Sequence, residues 1–143
     1  MHFPARRYDL LVDLLVRIIQ RAAPDEVATI AEDVGREYGR ELAAEIGAPG
    51  DAGYPEAIKA VAKALTGLGF EAKGEADLQR LVLANCPFGE AATGHPDVVC
   101  SLDRGIVIGL FESLGAECQP VLHPHSRPSE ECVTEVPVAI NRG

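Results

Sequence analysis

The chain predicts an α+β domain in which helices cover an antiparallel sheet of about four strands. Two observations carry this. Up to residue 68 the apolar residues recur at helical spacing, and after Gly69 the pattern shortens to alternating and short apolar runs. A third concerns size. A chain of 143 residues, 47% apolar with 5% aromatic, suits a single globular domain over 1–143. Its helical part is 1–68 and its strand-rich part 69–143.

The first helix is expected over Tyr8–Ala22, where Leu10, Leu11, Leu14, Leu15, Ile18 and Ile19 make a wide apolar face. That face is wider than one neighbour needs, so intramolecular core and dimer seam both stay open. Ala23-Pro24-Asp25-Glu26 stops this helix and starts a second, which runs to about Ile46 through Val27, Ile30, Ala31, Val34, Tyr38 and Leu42. The acids and arginines between Asp25 and Glu45 read as its solvated outer face. Gly and Pro crowd residues 47–53, which marks a loop. Pro55 opens a third helix through Ile58, Val61, Ala62 and Leu65, ended by Gly67 or Gly69.

Phe70–Glu75 alternates like a strand with Gly74 at its turn, and Leu78–Asn85 reads as a more buried strand. Residues 87–95 form a loop. Pro96 and Asp97 start a fourth helix, Val98–Leu114, closed by Gly115. On it, Gly105 and Gly109 predict close packing against a helix or the sheet, with a dimer contact as the other use. Glu117–Leu122 is a third strand, Pro124–Ser129 a turn, and Cys132–Ile140 a last strand, where Pro137 suggests an edge or a fraying end.

Composition excludes several functions. With 22 acidic and 13 scattered basic residues, the net charge of −9 repels a phosphate backbone. No apolar run approaches the ~18–20 residues of a membrane span. The first helix carries Asp9, Asp13 and Arg17, which a secretory signal does not. Ser101 and Asp103 lack a nucleophile elbow, and no Cys-x-x-Cys is present, so an enzyme is not expected.

The chemistry lies in the second half. Cys86, Cys100, Cys118 and Cys132 are spaced 14, 18 and 14 apart, with His95 between the first two and His123 and His125 near the last. Without a signal peptide, reduced thiols in the cytoplasm are expected rather than disulfides. Thiolates favour soft acceptors such as zinc or an iron–sulphur cluster, and imidazole is a good zinc ligand. Cys86 leaves the second strand, Cys100 falls in the first turn of the fourth helix, and Cys118 and Cys132 stand near the starts of the last two strands. If those strands are neighbours, Cys86, Cys100 and Cys132 can meet at one end of the sheet. At the helix N-terminus the Cys100 thiolate would be favoured. The competing reading, since spacing alone is weak, is thiols packed in a core.

Four stretches carry a family resemblance: Leu83-Ala84-Asn85-Cys86-Pro87-Phe88, His95-Pro96-Asp97-Val98-Val99-Cys100, Gly109-Leu110 to Leu114-Gly115, and Cys132-Val133. Together they resemble the C-terminal sensor half of ArsR-like or SufR-like bacterial helix-turn-helix regulators. Phe3–Leu11 resembles the segment after the winged helix in those proteins. The chain also looks like 4-vinyl-reductase-type and methanogen output domains. The resemblance implies a homodimeric sensor whose cluster is held by Cys86, Cys100 and Cys132, acting on DNA only through an attached winged helix. Cys118 matches no position of that pattern, and Glu131 stands where a second cysteine is common. The fourth ligand is thus open among Cys118, His95, His123 and a non-protein group. No winged helix is present in these residues, so the chain reads as an excised half or a stand-alone sensor. The alternative is a small-molecule-binding regulatory module with a structural zinc or free cysteines.

Overall fold

Backbone hydrogen bonding sets the element order in a computed structural model that describes residues 8–47, 53–84, 94–116, 119–123 and 132–137. Three helices come first, α1 (Tyr8–Ala22), α2 (Val27–Ile46) and α3 (Tyr54–Leu68). Two strands follow, β1 (Glu71–Glu75) and β2 (Arg80–Ala84), joined through a short 3₁₀ turn at Ala76–Leu78. Then come α4 (Pro96–Ser113), β3 (Val121–His123) and β4 (Cys132–Glu135). The protein is α+β, as its apolar periodicity predicts. No helix of the described residues is long and apolar enough to cross a membrane.

The sheet is antiparallel throughout, in the order β1-β2-β4-β3. Its body is β1, β2 and β4, with the three-residue β3 added at one edge. β4 therefore lies inside the sheet, and Pro137 falls beyond its end at Glu135. That resolves the edge-or-end question for Pro137, because a missing N–H past the ladder costs no sheet bond. Gly74 is not at the turn expected for it. It sits within β1, where a Cβ would come 3.2 Å from the Ile58 carbonyl oxygen of α3. The reversal is made by the 3₁₀ turn and Gln79, whose φ is +49°.

One face of the sheet meets α3 and the C-terminal half of α4. Ile58, Val61, Leu65, Leu81, Leu110 and Phe111 are each at most 2% exposed. The Tyr54 ring stacks on Phe111 at 6.2 Å, and its hydroxyl donates to the Val136 carbonyl at 2.8 Å. These contacts join the start of α3 to the end of β4.

α2 and α4 cross unusually closely because each carries a pair of glycines one turn apart. A Cβ on Gly105 or Gly109 would lie 2.1 or 2.2 Å from the carbonyl oxygens of Glu32 or Arg36. Reciprocally, a Cβ on Gly35 or Gly39 would lie 2.2 or 2.4 Å from those of Leu102 or Ile106. The close packing expected of Gly105 and Gly109 is thus made within the chain, against α2. Charges flank the seam. Glu112 takes Arg36 at 3.2 Å and Arg40 at 3.1 Å, and Arg104 pairs with Glu32. The polar face of α2 is therefore not all solvated, since three of its charges bind α4.

α1 is attached differently. Among the described side chains of α1, Val16 is the apolar one that is buried, in a small cluster with Val27, Ala31 and Val98, while Leu11, Leu15 and Ile18 are 51, 47 and 62% exposed.

Candidate metal centre

The β2–β4 register sets Cys132 opposite Leu83, one residue before β2 ends at Ala84. Directly opposed Cα atoms in such a pair are about 4.5–5.5 Å apart. Cys86 follows Ala84 by two residues and lies, like Cys118 and His125, outside the described residues. His123 ends β3 opposite Val133, next to Cys132 in the sheet. The backbone thus brings Cys132 and His123 to the end of the sheet from which the chain leaves toward Cys86.

Cys100 is half-buried on α4. The helix begins at Pro96, as the Pro96-Asp97 start signal predicts, because Pro needs no N–H partner at the first position. Cys100 is consequently its fifth residue. That places it just past the first turn, the position on which the expected stabilisation of its thiolate rested.

His95 caps α4 by position, and its side chain is only 17% exposed. Its Nε2 lies 2.7 Å from Asp13 Oδ1 of α1, and Asp13 also pairs with Arg17 at 2.7 Å. The bond to His95, followed by the Arg17 charge, holds the Asp13 carboxyl below the usual carboxylate range. With Nε2 engaged, Nδ1 is the ring nitrogen left to bind a metal. A carboxylate on the far nitrogen is the arrangement that orients ligating imidazoles.

Asp103 stands one turn after Cys100 on α4. It continues the stripe of Val107, Leu110 and Leu114 that packs into the core, while Leu102, Gly105 and Gly109 face α2. Its Oδ1 is shielded from solvent and has no hydrogen-bond partner among the described residues. Burial alone pushes this carboxyl up to about 7. The signal was present in the sequence as a lone acid at a position where the helical period demands an apolar side chain. Thr134, opposite Leu81 on β4, is fully buried, and its Oγ1 is likewise unpaired among the described residues. Ser101 is tied to its own helix, donating to the Asp97 carbonyl at 2.6 Å.

Among the described residues no three His, Cys, Asp or Glu side chains form a group that could hold a metal. Of the proposed thiols, Cys100 alone has a side chain within that set. No family model matches the chain, and no curated protein matches it.

Proposed function

We propose that this chain is the regulatory sensor domain of a transcriptional regulator, holding a metal ion or an iron–sulphur cluster through Cys86, Cys100 and Cys132. The observation that carries the reading is the β2–β4 register. It sets Cys132 opposite Leu83, and two residues beyond Ala84 keep Cys86 within ~7 Å of that strand end. Two thiols far apart in sequence thereby start from one end of one sheet. In this reading Cys100 of α4 is the third ligand, with His95, His123 and Cys118 as candidates for the fourth.

In this reading the domain is a cytoplasmic homodimer without catalytic activity of its own. DNA is contacted only by a winged helix attached to it, since an acidic surface of net charge −9 does not hold a phosphate backbone. Loss or oxidation of the centre changes how α4 is held. The α2–α4 glycine seam is rigid, so a shift at the N-terminal end of α4 carries α2 with it.

Serine substitution tests the ligands one at a time. Cys86→Ser, Cys100→Ser and Cys132→Ser are each expected to cut the bound metal of protein prepared without oxygen at least tenfold, in line with loss of a first ligand or its support. If Cys86→Ser leaves both metal content and thermal stability as they were, the reading fails.

A further inference from the structure

Beside the small Val16 cluster lies a cleft of about 350 Å³, open on one side where Ile30 and Val34 are 41 and 51% exposed, and walled by α1, α2 and the first two turns of α4. Val12 and Ile19 line it from α1, Ile30 and Val34 from α2, and Val99 and Leu102 from α4. Every lining residue is aliphatic. None of the lining residues is ionisable, and near the α1 wall Asp13 is engaged by His95 at 2.7 Å. Arg17, the other charge on this part of α1, is turned to Asp13 as well.

Protein interiors are close-packed, and voids much larger than a water molecule are few. Apolar walls hold water poorly and take apolar molecules in its place, as an enclosed ~150 Å³ cavity takes benzene. Scaling that volume to 350 Å³ gives room for roughly ten to fourteen carbon atoms. The size falls in the range of small-ligand pockets. A charged or strongly polar molecule would give up its hydration here with nothing to replace it.

We propose that this cleft is a binding site for an uncharged, apolar small molecule of about the size of a two-ring aromatic. The ligand would fill the gap that leaves α1 so lightly held, and so fasten α1 to α2 and α4. The site is separate from the thiol centre and does not depend on it, although Val99 adjoins Cys100 in sequence. The two proposals can therefore fail independently.

The test uses 1-naphthol as probe and 1-naphthoate as its charged counterpart, read by calorimetry and thermal melting on the whole chain. One naphthol per chain is expected, with a Kd of roughly 1–100 μM, and a raised melting temperature. Naphthoate should bind about 100-fold more weakly or not at all, because its carboxylate finds no partner. Ala31→Phe, which fills the cleft from the α2 wall, should weaken naphthol binding at least tenfold. Val34→Asp should do the same at a position already 51% exposed, where the charge does not threaten folding. The proposal is overturned if the native chain takes no naphthol, whether because a second copy occupies the cleft or for any other cause. It is equally overturned if naphthoate binds as well as naphthol, or if Val34→Asp binds naphthol like the native chain.

Discussion

Asp103 places a carboxyl on a helix stripe that otherwise feeds the core, and burial raises its affinity for a proton until it titrates at about 7. The ordinary value is 3.8, so the folded chain binds a proton there that the unfolded chain has already released. The Asp103 carboxyl therefore costs no stability below about pH 4, costs more as pH rises toward 7, and keeps its full cost above. Asp103→Asn removes this cost. Urea melts should show the variant more stable than the native chain at pH 8 by on the order of 2–4 kcal/mol, with the difference gone near pH 4. A difference that does not change with pH would contradict this account of Asp103. At this scale the sequence yielded candidate residues but not their surroundings. The engagement of His95 with Asp13 joins residues 82 positions apart, and no local pattern announces it. The start of α4 at Pro96 was announced by Pro96 and Asp97, and counted from there Cys100 is the fifth residue rather than a first-turn one.

The elements themselves were legible wherever one periodicity ran long enough. α1, α2 and α3 begin and end close to their predicted bounds because Pro24, Gly47, Pro55 and Gly69 punctuate the apolar pattern. The C-caps at Gly47 and Gly69 take φ values of +66° and +117°, which glycine adopts without strain. Legibility failed where neighbours decide. The role of Gly74 is set by Ile58 on α3, and the partner of Gly105 and Gly109 is set by a second glycine pair on α2 that carries no signal of its own. That seam makes a firm prediction. Gly109→Ala forces a methyl group against the Arg36 carbonyl, where the obstacle is backbone and cannot rotate away. Overpacking of this kind costs about 1–3 kcal/mol or more. Gly67→Ala, whose Cβ would meet nothing within 4 Å, should instead be neutral or gain up to ~1 kcal/mol of helix propensity. Chemical melts that find the two substitutions alike would contradict the close crossing.

At the scale of the whole molecule, two hydrophobic clusters stand out, with Leu102 packed against both. A main core binds α3, the C-terminal half of α4 and the sheet, while α1, the start of α2 and the start of α4 share a second cluster of four buried residues. The candidate ligands belong to the connections around these regions, Cys132 on the sheet and Cys100 and His95 at the start of α4. A centre bound there would link the sheet to α4, and an apolar ligand would link α1 to the same helix. Both would act on α4, which the glycine seam couples to α2. The overall α+β layout could be read from periodicity, whereas whether the thiols meet could not, because spacings of 14 and 18 residues fix no distance in space. The most direct measurement is therefore metal and acid-labile sulphide analysis of the protein purified without oxygen. The account predicts iron with sulphide, or about one zinc per chain. Protein containing neither, with its thiols reduced and its fold intact, would contradict the metal centre and leave the cysteines as packing residues.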